Sequence, residues 1–452
     1  MHTISTQLTE RHNSTAIILP RQQTRGLLHA FPALQHRNFR LFWGGQFISL
    51  IGTWMQTTGQ SWLVLQLTHN AFALGIVGAL QFLPILLFTL FGGVLADKLP
   101  KRSVLLGTQT FSALLAIILG VLVITQTVQI WEIYILACLL GLTNALDMPT
   151  RQAFVAEMVG HDSLANAVAL NSSVFNMAKL VGPGLAGLII AQFGEGPLFI
   201  GNALSFIPVL IGLALIDPGK LFTQIRKASQ KSEGTFRSLS LGLQYVWKTP
   251  AIFLIIAVVG VVSLFGINFN VVEPLVATDL LHQGAQGYGM ISSAFGAGAM
   301  VAALLIAWGN KTPSIKKLLG SAICFCITLG LVGLSHWYLV SMILAVITGF
   351  TMITFAATAN TTLQTLTPDH LRGRIMGVYM LVFNGTTPMG NLLIGWLAGV
   401  IGISFTLLIS ALISLVAATV GWVKRGSAEE DVRQTLASQR AVQIKDGHPV
   451  VG

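Results

Sequence analysis

Three charged residues stand within long apolar segments of the sequence, where a charge is costly. Asp147 and Arg151 are four residues apart, so on a helix they would form an ion pair with the acid in the favourable N-terminal position. Lys179 lies in the next apolar segment. A charge at the centre of a bilayer costs about 2.5–3.5 kcal/mol on insertion scales, so such residues are default candidates for function. We expect protonation of Asp147 to release Lys179 or Arg151; the alternative is a fixed ion pair, or a Lys179 side chain that reaches water.

Uncharged polar residues form stripes at helical spacing on two other apolar segments. The first stripe consists of Gln46, Ser49, Thr53, Gln56, Thr57 and Gln60, and the second of Thr351, Thr354, Thr358, Thr361 and Thr365. Asn268, Asn270 and Glu273 are spaced less regularly. A continuous polar face on an apolar helix predicts a water-filled cavity beside it. Hydrogen bonds between helices, worth about 0.6 kcal/mol each, are the alternative, which we favour for any single threonine.

We expect a different role for two acidic residues near the end of one apolar segment. Glu273 precedes Pro274, and Asp279 follows six positions after Glu273. Their position near the segment end favours anchoring at the membrane surface over a role in a buried site.

The composition excludes an ordinary water-soluble protein. Of the 452 residues, 53% are hydrophobic and 9% are charged, against about 25% charged in soluble domains. The net charge of +10 is spread thinly between apolar segments, so we expect no groove for a nucleic-acid partner. The three cysteines lie inside apolar segments and predict neither disulfides nor a metal site. No phosphate-binding loop is present, and we expect a protein that is not an enzyme and has no cofactor.

Apolar segments of about 20 residues, each long enough to span a bilayer as a helix, occur six times on each side of a polar stretch. Helices satisfy their own backbone hydrogen bonds in lipid, so the predicted fold class is an all-α polytopic membrane protein with twelve transmembrane helices in two six-helix bundles. The predicted parts are an N-terminal tail (1–38), a first bundle (39–216), a linker (217–248), a second bundle (249–423) and a C-terminal tail (424–452).

Basic residues follow only every second apolar segment. Lys98, Lys101 and Arg102 follow the second segment, whereas the connections 67–71, 126–130 and 193–197 contain no lysine or arginine. By the positive-inside rule, both tails and the linker are predicted to be cytoplasmic. The expected location is a cell membrane, namely the bacterial cytoplasmic membrane.

The two halves of the sequence repeat each other. Gly182, Gly187 and Gly194 recur 208 positions later as Gly390, Gly395 and Gly402. Ala71 and Gly75 recur 214 positions later as Ala285 and Gly289. Two duplicated halves with the same orientation suit alternating access, in which one half rocks against the other around a central site. A channel or a membrane enzyme with a single site has no evident need for this duplication.

Several motifs resemble a known family. The segment Gly93-Val-Leu-Ala-Asp97-Lys98-Leu-Pro-Lys101-Arg102 is similar to the loop signature of the major facilitator superfamily, with Pro100 in place of the usual glycine. The segments HRNFRLFWGGQFIS, PTRQAF and TPDHLRGRIMGVY resemble the exporter branch that includes the enterobactin exporter and macrolide-efflux pumps. Gly182, Pro183 and Gly187 resemble the antiporter motif of the fifth helix, with alanine at two of its glycine positions.

The resemblance implies roles for these residues. It implies a conformational latch formed by Gly93, Asp97, Lys98, Lys101 and Arg102 with Arg151, Arg372 and Arg374; the alternative is a charge cluster that only sets topology. It also implies that the first, fourth, seventh and tenth transmembrane helices line a central cavity. The predicted substrate or coupling residues are Asp147, Lys179, Arg151, Gln46, Thr53, Gln56, Gln60, Asn268, Asn270, Thr354 and Thr358.

The function that the resemblance implies is secondary active transport. We expect proton-coupled export of a small organic compound, such as a drug, macrolide or siderophore, by a protein that acts as a monomer. A substrate:proton symporter or a uniporter of the same fold is the first alternative. A non-transporting membrane sensor or scaffold is the second, although neither tail provides a clear output domain.

Overall fold

The computed structural model describes residues 31–222, 235–309 and 313–445. The predicted tails and linker therefore lie partly outside the described residues. Within these ranges the long elements are all helices, and no strand occurs. The prediction of an all-helical membrane protein is confirmed.

The described chain contains fifteen α-helices, with labels that follow the chain order. The first group is α1 (Arg37–Thr68), α2 (Ala71–Lys98), α3 (Lys101–Ile124), α4 and α5 within the helical stretch Ile130–Phe193, and α6 (Glu195–Ala214). A short helix, α7 (Thr235–Lys248), precedes α8 (Pro250–Gly266) and α9 (Phe269–Leu275), and a π-helical turn (Val276–Leu280) follows α9. The rest are α10 (Ala285–Trp308), α11 (Ile315–Leu334), α12 (Tyr338–Leu366), α13 (Asp369–Ile401), α14 (Ile403–Val423) and α15 (Arg425–Lys445).

Nine helical segments of the described chain are long and apolar enough to cross a membrane. The helices α1 and α13, with 32 and 33 residues, are long enough but are not among the nine. Polar side chains such as Gln56 and Gln60 in α1, and Asn384 and Asn391 in α13, lower their hydropathy. A simple hydropathy count therefore misses two helices of the described chain that are long enough to span a bilayer.

Gly160 separates α4 (130–159) from α5 (161–193). Its φ of 70° and ψ of −179° lie in a backbone region that essentially only glycine adopts. The backbone N–H of Phe222 donates to the carbonyl oxygen of Glu157 at 2.7 Å and so caps the end of α4. A β-carbon on Gly160 would lie 3.1 Å from the Phe222 ring.

Replacing Gly160 by alanine should therefore destabilise the fold. We expect a loss of about 1–3 kcal/mol in the free energy of unfolding, because alanine is strained at a φ and ψ that essentially only glycine adopts. The measurement is the melting temperature of the purified full chain, with Gly201→Ala as the control, since a β-carbon on Gly201 meets nothing within 4 Å. A Gly160→Ala variant that melts no lower than Gly201→Ala would contradict the expectation.

Short connections join consecutive helices, so the helix ends alternate between two sides. We call the side with Lys98, Lys101, Arg372 and Arg374 the basic end, and the opposite side, where α2 and α10 begin, the neutral end. The helices α1–α6 pack on one another, as do α8–α14. We refer to these two groups as the first and second halves.

Two helix pairs make the most extensive contacts between the halves, and we call them the α5/α10 seam and the α2/α13 seam. A β-carbon on Gly187 would lie 2.6 Å from the carbonyl oxygen of Ala285, and one on Gly395 would lie 2.8 Å from that of Ala71. In the same seams, Gly187 faces Gly289 and Gly395 faces Gly75. The glycines that repeat in the sequence thus meet each other in two equivalent seams, where the backbones approach closely near the neutral end.

Candidate functional site

Both carboxylate oxygens of Asp147 accept hydrogen bonds from neighbouring side chains. Its side chain, 2% exposed, lies on α4. One carboxylate oxygen accepts hydrogen bonds from the Thr108 hydroxyl at 2.7 Å and the Gln109 amide at 2.8 Å, both on α3. The other oxygen accepts from Arg151, whose Nε lies at 2.9 Å. The structure thus contains the Asp147–Arg151 pair, with α3 supplying two further donors that the sequence analysis did not identify.

Lys179 lies at the α5/α10 seam. Its Nζ is 4.8 Å from the ring centre of Phe295 on α10 and 5.4 Å from that of Trp54 on α1. Glu273 on α9 contacts the same helix, α10, through Ser292, three residues before Phe295. The predicted element of Asp147 with Lys179 is therefore not formed, because Asp147 is bound on α3 and α4 while Lys179 faces the second half.

Glu273 differs most from its expected role. The sequence favoured an anchor at the membrane surface, but the side chain is partly buried and accepts a hydrogen bond from the Ser292 hydroxyl on α10. Its carboxylate and the Lys179 ammonium form no ion pair within 4.0 Å in the described residues, although both side chains lie against α10. We call Trp54, Lys179, Glu273, Ser292 and Phe295 the central cluster, in which each half of the protein contributes one charge.

A buried tyrosine extends the central cluster toward the neutral end. Tyr288 on α10 is 3% exposed, and its hydroxyl lies beside Ser292 and the α1 side chains Thr58 and Ser61. Its ring stacks on that of Trp62, with 6.2 Å between the ring centres. Contacts between the halves therefore continue from Glu273 to Trp62.

The polar stripe on α1 is used mainly for contacts within the first half. Gln56 accepts a hydrogen bond from the Asn202 amide on α6, and Gln60 accepts one from Gln81 on α2 at 3.4 Å. Thr53 donates to the carbonyl oxygen of Ser49 on its own helix at 2.9 Å. For Gln56 and Gln60 the geometry matches hydrogen bonding between helices, whereas the amide oxygen of the buried Gln46 has no hydrogen-bond partner among the described residues.

Two of the four predicted site residues in the second half donate hydrogen bonds to backbone carbonyls four residues earlier. Thr354 donates to the carbonyl oxygen of Phe350, and Asn268 to that of Leu264, each at 2.8 Å. Thr358 is buried and Asn270 is partly buried. The Thr354 hydroxyl is thus satisfied within its own helix, whereas the amide oxygen of Asn268 has no hydrogen-bond partner among the described residues.

The basic residues of the loop signature bind within the first half. Lys101 pairs with Glu157 on α4 at 2.7 Å, and Arg102 donates to the carbonyl oxygens of Leu213 and Ala214, at 2.7 and 2.6 Å. These two carbonyls end α6, where a cation also stabilises the helix dipole.

The rest of the predicted latch is described only in part. The Asp97 side chain lies outside the described residues, Lys98 is exposed, and a β-carbon on Gly93 would meet nothing within 4 Å. Arg372 donates to the Gln364 carbonyl at 3.3 Å, and both Arg372 and Arg374 have further interactions. The latch stays a prediction.

The predicted motif of the fifth helix lies on two interfaces. A β-carbon on Gly182 would lie 2.6 Å from the Trp54 β-carbon, so this glycine permits close packing of α5 on α1. Pro183 is buried, and Gly187 lies in the α5/α10 seam. The motif thus positions α5, and with it Lys179, between both halves.

Asp147→Asn tests whether the Asp147 cluster is structural or proton-sensitive. Four donors point at the Asp147 carboxylate. We expect the asparagine amide to lower the melting temperature, because its NH2 group cannot accept hydrogen bonds and the Arg151 charge loses its buried counter-charge. We expect the pH dependence of transport to stay at its wild-type position. A shifted pH profile at unchanged stability would instead support the proton-sensitive role.

Comparisons with known proteins agree with this architecture. The sequence profile of the family described as transmembrane secretion effector matches residues 28–444. The staphyloferrin A transporter of Staphylococcus aureus is 26% identical over 376 residues, which cover 80% of this chain and 90% of that protein. The multidrug efflux pump Tap of Mycolicibacterium fortuitum is 29% identical over 358 residues, which cover 77% of this chain and 86% of that protein. The macrolide efflux protein A of Streptococcus pyogenes is 20% identical over 386 residues, covering 84% and 94%.

Solved transporter structures share the fold. The nucleoside transporter NupG superposes with a TM-score of 0.69 at 15% identity, covering 85% of this chain and 98% of that one. A bacterial homologue of the human lysosomal transporter Spinster, inward-facing and unoccupied, gives 0.63 at 11% identity, covering 88% and 98%. The family match spans nearly the whole chain and confirms the resemblance found in the sequence motifs. The chain therefore belongs to the transmembrane secretion effector family, in the exporter branch of the major facilitator superfamily, and is a membrane transporter and not an enzyme.

Proposed function

We propose that this protein is a proton-coupled exporter of small organic compounds, in which Lys179 and Glu273 form the coupling element. The observation that carries the proposal is the central cluster, where Lys179 of the first half and Glu273 of the second half both lie against α10, at Phe295 and Ser292. Relatives named as siderophore, multidrug and macrolide transporters support export as the direction of transport and small organic compounds as the substrate class.

The proposed topology has twelve membrane crossings in two bundles. The helices α1–α6 supply six, and α8 with α9, followed by α10–α14, supply six more. The domain boundaries are those predicted from the sequence, namely bundles at 39–216 and 249–423 with tails and a linker outside them. The basic end is cytoplasmic by the positive-inside rule, in a bacterial cytoplasmic membrane, and the protein works as a monomer.

Alternating access supplies the mechanism. Both seams are closed near the neutral end, so the structure supports a state in which the outer side is shut. Attraction between Lys179 and Glu273 favours this state because the two charges belong to different halves. Protonation of Glu273 removes that attraction and favours opening of the seams, since a ligand shifts an equilibrium by its differential affinity for the two states. One proton that moves down a potential of 100 mV supplies about 2.3 kcal/mol for this change.

The walls of the central cluster indicate the kind of substrate. Trp54 and Phe295 present aromatic faces beside Lys179. Such walls contribute apolar contact area, while one or two charges fix the orientation of a ligand. An amphipathic organic molecule with an aromatic or macrocyclic part fits this description.

An accumulation screen tests the proposed function. Drugs and siderophores are offered to a pump-deficient bacterial host that expresses the full chain, with and without a protonophore. We expect lower accumulation of at least one compound, and the protonophore should abolish the difference. Compounds whose accumulation rises with expression would indicate import, and export that persists after the proton gradient is collapsed would contradict proton coupling.

A further inference from the structure

A cavity of about 770 Å³ opens at the neutral end, apart from the central cluster. Both halves build it: α1, α5 and α6 provide one wall, and α10, α12 and the connection before α10 provide the other. The side chains that matter here are Trp62, Glu195, Gln286, Met290, Tyr338 and Met342. A volume of this size lies within the range of about 300–1,000 Å³ that holds organic ligands.

The lining has the chemistry of a site for a cation. Glu195, at the start of α6, is partly buried; among the described residues it is the one charged side chain that lines the cavity, and no lysine, arginine or histidine of that part of the chain does so. Trp62 and Tyr338 contribute aromatic rings, and Met290 and Met342 contribute flexible apolar surface. A carboxylate with aromatic rings and polarisable thioethers around it attracts an organic cation with a large apolar body.

The position of the cavity connects it to the α5/α10 seam. Its lining includes Ile190 and Ala191 on one side of the seam and Ala285 and Gly287 on the other. The closed seam therefore forms the cavity, and separation of the two helices would divide it. Trp62 lines the cavity and stacks on Tyr288, which lies beside Ser292 of the central cluster.

We propose that this cavity binds an amphipathic organic cation while the α5/α10 seam is closed, with Glu195 as the counter-charge. Because both halves line the cavity, a bound cation holds the seam shut and slows transport. That consequence rests on the proposed function, whereas the binding itself does not.

Protection of an introduced cysteine tests the binding directly. The full chain is first freed of Cys138, Cys324 and Cys326 by alanine substitutions, and Ala191→Cys then places a thiol in the exposed part of the cavity lining. Tetraphenylphosphonium is the probe, and tetraphenylborate, of similar size and opposite charge, is its control. The rate of maleimide labelling is measured in detergent without any gradient.

We expect tetraphenylphosphonium to slow labelling at position 191 by about fivefold or more, while tetraphenylborate has little effect. His336→Cys, an exposed position in the connection before Tyr338 and outside the cavity lining, should show no protection. Glu195→Gln should remove the protection at position 191, and Glu195→Asp should retain part of it.

Three outcomes would overturn the proposal: no protection at position 191, equal protection at positions 191 and 336, or equal protection by the borate. Size-exclusion profiles of the variants confirm that each is folded. Since labelling needs no transport, a failed accumulation screen and a failed protection experiment remain separate results.

Discussion

Lys179→Met should reduce transport by about tenfold or more, because it removes one of the two charges of the proposed coupling element. Methionine has a similar length, and its thioether can keep contact with the rings of Trp54 and Phe295. Loss of a desolvated ammonium costs the folded state little, so the variant should be inserted in the membrane at wild-type levels. Substrate efflux from proteoliposomes with an imposed pH gradient is the measurement.

Two comparisons show that the effect comes from the charge pair. Lys248→Met removes an exposed lysine at the end of α7 and should leave efflux unchanged. The double variant Lys179→Met with Glu273→Gln should transport no less than Lys179→Met, because residues that act as a pair have non-additive effects. Efflux by Lys179→Met at the wild-type rate would refute the role of the pair.

Gly395→Leu should trap the α2/α13 seam open and also reduce transport by about tenfold or more. A β-carbon at position 395 would lie 2.8 Å from the carbonyl oxygen of Ala71 and 3.1 Å from the Gly75 Cα. Backbone on the facing helix cannot move aside as a side chain can, so overpacking is relieved by separation of the helices. The matched control is Gly399→Leu, one turn further along α13, where a β-carbon would meet nothing within 4 Å.

Labelling of a buried position shows which way the seam moves. Asn391 is 1% exposed and lies against Gly78 of α2. In the cysteine-free background, a cysteine at position 391 should react with an impermeant maleimide faster when Gly395→Leu is present, and not with Gly399→Leu. If both leucine variants transport normally, tight glycine packing is not what closes the seam.

The sequence predicts the helices well because length and apolar content decide membrane insertion. It also predicts the repeat, and therefore the equivalence of Gly187 with Gly395. It does not predict that Gly187 meets Gly289, or that Gly395 meets Gly75, because a repeat indicates which residues are equivalent and not which helices touch. The same limit applies to α1, where helical spacing identifies a polar face but not the partners Asn202 and Gln81.

The candidate site is predictable in one half and not in the other. Lys179 stands out because it is a single charge in an apolar helix. Glu273 does not, since the chain leaves the helical conformation at Ile267 and Asn268, which have ψ values of 51° and 46°. Beyond such a break, helical spacing no longer indicates on which face of the helix a residue lies. A residue near the end of an apolar segment is then assigned to the membrane surface. Pro274 and the irregular asparagines before it are the signals that could have indicated the break.

The response of Glu273→Gln to an imposed pH gradient tests the proposed coupling element most directly. In proteoliposomes, an imposed pH gradient should drive net substrate movement by the wild-type protein, and a protonophore should stop it. Glu273→Gln cannot bind and release a proton at this position, so we predict that it loses gradient-driven accumulation but keeps exchange of labelled for unlabelled substrate at equal pH. Gradient-driven accumulation by Glu273→Gln at the wild-type level would contradict the account.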